Sequence, residues 1–221
     1  MADRTGRDGS SAIGEATATS RRLRRRRWAV VAAAALIIAL AGCAPPPNHS
    51  VDQSNTGGLN GFASVAWAAP CFGTTVDAEV AQTFTAGRTG LLDQVSVAAM
   101  PIAPGSQAPF LLTIRTVRAD GAPGATVLGS GTYSGPGSPT ASTLIQVPLA
   151  SPAVVLAGHR YSIVISSAPA PECTDDLGWS VFGAADNYTG GEAWYRGTAY
   201  NTPDWVTPDP SQDLFFITWM C

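Results

Sequence analysis

The chain has 221 residues with thirteen arginines, no lysine and sixteen carboxylates, a formal charge of −3. Eight of the thirteen arginines precede Cys43. From Cys43 onward the chain has five arginines and thirteen carboxylates, a formal charge of −8. An acidic segment without a basic patch cannot neutralise phosphates, which excludes nucleic acid as a partner.

The first predicted element is an export signal over residues 1–42. After a polar extension, six arginines between Arg21 and Arg27 precede an uncharged run of fifteen residues, 28–42. A membrane-spanning helix needs about 20 apolar residues, whereas a basic segment before a shorter apolar one is typical of a signal peptide. We therefore expect residues 1–42 to be removed and the rest to lie outside the cytoplasm.

The end of this run, Leu40-Ala41-Gly42-Cys43, resembles the lipobox of bacterial lipoproteins. The resemblance implies that the thiol of Cys43 is diacylated and that this residue becomes the first of the mature chain. The predicted location is the cell membrane, lipid-anchored and facing outward. Two alternatives stay open: an ordinary signal cleaved after Ala44, which would leave Pro45 in an unfavourable position, and an uncleaved anchor, which the length opposes.

Residues 43–60 are predicted to form a flexible tether. Three prolines at 45–47 are followed by a stretch rich in Ser, Asn and Gly, a composition that gives a stiff start and a flexible continuation. The predicted folded domain is then 61–221.

The domain is predicted to be all-β. Short β-branched and aromatic runs alternate with Gly and Pro turns, and the apolar residues Tyr161, Ile163 and Ile165 fall on one face of a strand. We expect a single two-sheet antiparallel β-sandwich, jelly-roll-like, because many short, evenly spaced strands favour that architecture. The predicted strands are 79–86, 91–100, 110–117, 126–133, 143–149, 153–156, 160–167, 177–182, 192–196 and 214–220.

The domain also resembles a loosely defined family of exported bacterial jelly-roll-like sandwich domains over residues 79–220. The matching stretches are Gln82-Thr83-Phe84-Thr85-Ala86-Gly87, Gly121-Ala122-Pro123-Gly124, Leu156-Ala157-Gly158 and Asp213-Leu214. These are mainly turn and core positions, so the resemblance implies a fold and supplies no catalytic residue.

With Cys43 lipidated, Cys71, Cys173 and Cys221 remain, and one disulfide is expected among them in an oxidising compartment. If the first and last strands are antiparallel neighbours, Cys71 lies near Cys221, and this is the predicted pair. Cys71–Cys173 and Cys173–Cys221 remain alternatives.

The candidate binding surface is aromatic. Tyr188, Tyr200 and Trp205 lie in predicted loops among polar residues, and exposed rings of this kind suit the faces of sugars. The competing interpretation is that the aromatic residues of this segment fill the core.

No catalytic set is predicted. His49 lies in the predicted tether and His159 in a turn, so a Ser-His-Asp triad is not expected. Two carboxylates could in principle hydrolyse a glycoside, or hold a calcium ion, but acids in turn-rich sequence usually face solvent or cap amides. The carboxylates in question are Asp175, Asp176, Asp186, Glu192, Asp204 and Asp209.

The expected protein is thus a non-catalytic cell-envelope lipoprotein, a structural or interaction module without cofactor or metal. Its partners would be the membrane, through Cys43, and an envelope glycan or protein. A carbohydrate-binding module is the alternative function, and a glycoside-acting enzyme is a more remote one.

Overall fold

The computed structural model describes residues 49–68, 76–101, 109–135, 142–167, 178–185, 188–207 and 212–221. The chain divides into two compact units, Met1–Gly42 and Cys43–Cys221, and every described residue belongs to the second. The predicted signal peptide and lipobox lie outside the described residues. Within the described part of the chain, no helix has the length and apolar character needed to cross a bilayer.

The described part of the second unit is built from β-strands, and the paired strands run antiparallel. A 3₁₀ turn over Thr198–Tyr200 interrupts the last hairpin. The strands are β1 (Ser50–Asn55), β2 (Leu59–Ala68), β3 (Val76–Asp77), β4 (Glu79–Thr85), β5 (Gly90–Pro101), β6 (Phe110–Val117), β7 (Pro123–Tyr133), β8 (Thr143–Val155), β9 (Arg160–Ser167), β10 (Gly178–Ala185), β11 (Ala193–Gly197), β12 (Thr202–Val206), β13 (Gln212–Leu214) and β14 (Phe216–Met220).

The strands form two layers around one core. Sheet I has the order β12-β11-β4-β9-β6-β7. In sheet II, β5 pairs with β8 on one side, and with β14 and β10 on the other. Rings from the two layers meet between them, since Phe84 of β4 lies 6.3 Å from Phe216 of β14. The predicted all-β sandwich is confirmed.

The alternation predicted from sequence sets the inner faces. Every second residue of β9 is in the core, and β8 repeats the pattern over its first half, where the intervening residues are exposed. In β9 the intervening Ser162 and Val164 are buried as well. Phe110 of β6 packs edge-on against Trp179 of β10, with centroids 5.3 Å apart, at one end of the core. The alternating core residues are Tyr161, Ile163 and Ile165 of β9 and Ile145, Val147 and Leu149 of β8.

Strand β8 differs from the prediction of two strands separated at Ser151-Pro152. Pro148 pairs with Gln94 of β5 and Ala153 pairs with Leu92, so the intervening residues leave that ladder. There Ser151 pairs with Ser130 of β7, which joins the two sheets. Pro152 is tolerated in this strand because it lies where β8 changes from one neighbouring strand to the other.

The predicted flexible tether over 43–60 is wrong for 50–55 and for the start of β2. Strand β1 pairs with the last strand, β14, with Ser50 opposite Met220 and Asn55 opposite Phe216. Asn55 is only 3% exposed and donates a hydrogen bond to the carbonyl of Leu214 (3.4 Å). This strand is held by backbone pairing with β14. Because its residues are polar, the sequence shows no alternating apolar pattern from which the strand could be predicted.

The sandwich has two distinct ends. At one, Ser50 and Met220 lie near the β4–β5 and β8–β9 turns, where Ala86 N–H donates to the carbonyl of His159 (3.0 Å). At the other, Glu79 of β4 pairs with Ser166 of β9. We call these the tether end and the distal end.

Candidate functional site

Tyr188 does not belong to an exposed binding surface. It is 9% exposed, and its ring packs edge-on against Phe216 with centroids 5.0 Å apart. Its hydroxyl accepts a hydrogen bond from Thr85 N–H (3.0 Å) and donates one to Gln53 Oε1 (3.2 Å). Burial raises the pKa of this phenol above its ordinary value. Tyr188 therefore acts as a core residue that links β4 to β1.

The other two predicted rings lie in different places. Tyr200 is half-buried against the main core and packs on Tyr195, with centroids 5.4 Å apart. Trp205 is 6% exposed and lies in β12, not in a loop. It joins a second apolar cluster with Ala81, Ala122, Val164 and Trp194. The predicted platform of three exposed rings is wrong, and the competing interpretation, core packing, explains these residues.

An arginine, Arg196, packs against Trp205 of the second apolar cluster. Arg196 of β11 places its guanidinium carbon 4.6 Å from the centroid of the Trp205 ring. Arg196 pairs in register with Glu79 of β4, and its Nε donates to Glu79 Oε2. The guanidinium is therefore held by contact with the Trp205 ring and by the bond from its Nε to the Glu79 carboxylate.

Glu79 is shared by two arginines. Arg115 of β6 places its Nη2 3.6 Å from Glu79 Oε1, while its Nε donates to Thr113 Oγ1 (2.9 Å). Burial lowers the pKa of Arg115, the charge of Glu79 opposes that change, and the charge of Arg196 adds to it. The triad of Glu79, Arg115 and Arg196 carries one excess positive charge.

A pocket of about 450 Å³ opens beside this triad at the distal end. It is lined by the Glu79–Arg196 pair and by residues of the β11–β12 hairpin. Asn201 in that hairpin has a left-handed backbone, φ 54°. The described lining residues are Glu79, Arg196, Gly197, Thr198, Asn201, Thr202 and Pro203.

A neighbouring charged group is already paired. Arg118 donates from Nη1 to Asp204 Oδ1 (2.9 Å) and from Nε to Asp120 Oδ1 (3.1 Å). The hydrogen bond from Arg118, followed by that from Ala122 N–H, lowers the pKa of Asp120 to about 2. Arg118 and Trp205 N–H likewise lower the pKa of Asp204. Both carboxylates are ionised at neutral pH.

The remaining predicted residues offer little for catalysis. Glu192 has an exposed side chain, and Asp175, Asp176, Asp186 and Asp209 lie outside the described residues. His49 bonds to Asp93, while His159 remains in the β8–β9 turn. Among the residues that the structure covers, no group of three or more His, Cys, Asp or Glu could hold a metal ion.

Cys43, Cys71 and Cys173 also lie outside the described residues, so the predicted lipidation and the Cys71–Cys221 pairing stay predictions. Cys221 follows β14 at the tether end, with its N–H donating to Leu91 O (3.3 Å). It is not a free thiol, and its partner lies outside the described residues.

No protein-family model matches the chain, and no curated protein matches it either. The resemblance to exported jelly-roll-like domains therefore stays an expectation. The interpretation of the site depends on the geometry alone.

Sequence reasoning missed Arg196, Glu79 and the pocket. Residues two apart on a strand share a face, so Trp194 and Arg196 could have been placed together from sequence. Nothing in the sequence pairs β11 with β4, and that pairing brings Glu79 to Arg196.

Proposed function

We propose that this protein is a non-catalytic, lipid-anchored module of the cell envelope, held to the membrane through Cys43. The observation that carries the proposal is the position of β1. Its first residue, Ser50, follows Cys43 by seven positions, so a lipid on Cys43 would hold the tether end of the sandwich close to the membrane. The distal end with the pocket would then face away from it.

A non-catalytic role is supported by the state of the described carboxylates around the pocket. Glu79 is paired with two arginines, and Asp120 and Asp204 share Arg118. Glycoside hydrolysis requires one carboxyl group that keeps its proton near neutral pH. The lowered pKa values of Asp120 and Asp204 are the opposite of that requirement.

The test of the anchor is intact mass of the full chain expressed in a bacterium and extracted from its membranes. We expect a mature species that begins at Cys43 and carries added acyl mass. Cys43→Ala should abolish both processing and membrane retention. Ala44→Ser, a matched change one residue further on, should leave them unchanged.

A mature species beginning at Cys43 without acyl mass would contradict the proposal. A species beginning at Pro45 would indicate plain secretion, and one retaining residues 1–42 would indicate an uncleaved anchor. Release of reducing sugar from glycans would contradict the non-catalytic role separately.

A further inference from the structure

Arg196 combines a constrained position with unused hydrogen-bonding capacity. Its Nε is bonded to Glu79, and its guanidinium carbon lies over the Trp205 ring. Within the described part of the chain, its two Nη groups make no hydrogen bond. The side chain is one-third exposed and lines the pocket.

The donors left over have a definite chemical preference. Two terminal guanidinium nitrogens form a planar fork that matches the two oxygens of a carboxylate. A fork held in place before binding loses less entropy when the ligand arrives than a mobile one would. The excess positive charge of the triad favours an anion in a domain whose formal charge is otherwise negative.

The other lining residues define the rest of the ligand. Thr198, Asn201 and Thr202 provide hydroxyl and amide groups, and Pro203 is the apolar side chain among the described lining residues. Such a wall suits a hydroxyl-rich molecule better than a hydrocarbon chain. A volume of about 450 Å³ falls within the usual range for small-molecule sites, about 300–1,000 Å³.

The hairpin backbone fixes the position of Asn201 beside the pocket. Asn201 caps the 3₁₀ turn Thr198–Tyr200 in a left-handed conformation, φ 54°, which asparagine tolerates at the end of a helical turn. Asn201 is also exposed, so no packing contact of a buried side chain requires asparagine there.

We infer that the pocket binds a small acidic sugar, a hexuronate or the uronate unit of a polysaccharide. Its carboxylate occupies the Nη fork of Arg196. Its hydroxyls bond to the Asn201 amide and donate to the Thr202 hydroxyl oxygen, whose own proton is donated to Asp204 O (2.7 Å). This inference deepens the proposed function and rests on it for the binding role. The two fail separately, because the anchor is tested by mass and the ligand by titration.

The experiment titrates the full chain, extracted from membranes, with galacturonate and glucuronate. Tryptophan fluorescence reports the site because Arg196 lies on Trp205, and saturation-transfer NMR reports the ligand. We expect saturable binding of at least one uronate with Kd near about 1 mM. Glucose and acetate, which each hold half of the recognised chemistry, should bind at least about tenfold more weakly.

Three variants locate the site. Arg196→Gln removes the fork and should weaken uronate binding by about tenfold or more. Asn201→Gly relaxes the backbone while removing the amide, so binding should weaken about three- to tenfold in a protein at least as stable as the wild type. Arg88→Gln removes an arginine at the tether end, where it bonds to Ser50 of β1, and is the matched control, with unchanged binding expected.

Several results would overturn the inference. Absence of binding of both uronates at about 10 mM would do so. Equal binding of glucose would show that the carboxylate is not recognised, and equal binding of acetate would show that the sugar is not. Binding that survives both Arg196→Gln and Asn201→Gly would place the ligand elsewhere.

Discussion

At the scale of single residues, Gln82 joins the two sheets inside the core. It lies on β4 of sheet I with no exposed surface, and its Nε2 donates to Asp213 Oδ1 of β13 (2.7 Å). Its Oε1 accepts from Leu214 N–H (2.7 Å). A buried amide that satisfies partners in the opposite layer fixes the relative position of the sheets as well as stabilising them.

Replacing this amide by an apolar side chain is therefore expected to be costly. Gln82→Leu removes the amide partner from both Asp213 and Leu214 while they stay buried, and should lower the free energy of unfolding by about 2–4 kcal/mol. The measurement is urea denaturation at neutral pH. Gln146→Leu, at an exposed position of β8, is the control and should change stability by less than about 0.5 kcal/mol. Equal effects of the two substitutions would contradict the role of Gln82.

Asp120 provides a test of the surface electrostatics. Its folded pKa of about 2 lies below the ordinary value of 3.8, chiefly because Arg118 donates to it. A lowered pKa means that the ionised form is favoured in the folded protein. The stabilising contribution is therefore fully present above about pH 4 and is lost as the pH falls toward 2.

We expect a carboxyl NMR titration of Asp120 to have its midpoint at about 2. In Arg118→Gln the midpoint should rise toward the ordinary value. It should stay somewhat below that value, because Ala122 N–H still donates a hydrogen bond to Asp120. Arg88→Gln, an exposed arginine that bonds to β1 instead, should leave the midpoint unchanged. A wild-type midpoint near the ordinary 3.8 would mean that the Arg118 contact does not persist in solution.

At the scale of elements, the loop before β11 is clamped to β4. Thr83 N–H donates to Glu192 O (2.9 Å), and Glu192 N–H donates to Thr83 Oγ1 (2.9 Å). Gly191 sits in this contact, where an added Cβ would lie 1.7 Å from Thr83 O. The obstacle is the backbone of a central strand, so it cannot rotate away.

Gly191→Ala should therefore displace the loop and destabilise the fold by about 3 kcal/mol or more. Gly58→Ala is the matched control, because a Cβ added there would have no heavy atom within 4 Å; we expect a change below about 0.5 kcal/mol. Thermal unfolding of both variants measures the difference. A Gly191→Ala protein as stable as the control would show that the loop moves freely from β4.

Strands with an alternating apolar pattern could be predicted from the sequence. Residues 110–117 and 160–167 were predicted with the observed bounds, because their inward residues are large and apolar and the turns beside them contain Gly. Strand β1 could not be predicted in this way, because its residues are polar and its stability comes from pairing with β14, which is 165 positions away at the Gln53–Thr218 contact. The pocket was missed for the same reason, since it depends on which strands are neighbours.

At the scale of the whole molecule, the tether end is fastened from several sides. Gly87 N–H donates to Asp52 Oδ2 (3.1 Å), and Arg88 Nη1 donates to Ser50 Oγ (2.8 Å). Gln53 N–H donates to Thr218 Oγ1 (2.9 Å) on the opposite side of β1. These contacts join the start of the domain to its last strand and to the β4–β5 turn, so β1 is an integral part of the folded sandwich.

The folded unit is consequently expected to begin at β1. If residues 43–60 were a flexible tether, a fragment of residues 60–221 would contain the whole folded domain. In the structure this fragment lacks β1, so the edge of β14 is exposed. Several hydrogen bonds worth about 1 kcal/mol each are removed, so its free energy of unfolding should be roughly 3–6 kcal/mol below that of residues 49–221. Residues 44–221 add only the segment before His49 and should match 49–221, which makes that fragment the control. Urea denaturation of the three fragments decides the matter, and equal stability of 60–221 and 49–221 would restore a flexible tether that extends to residue 60.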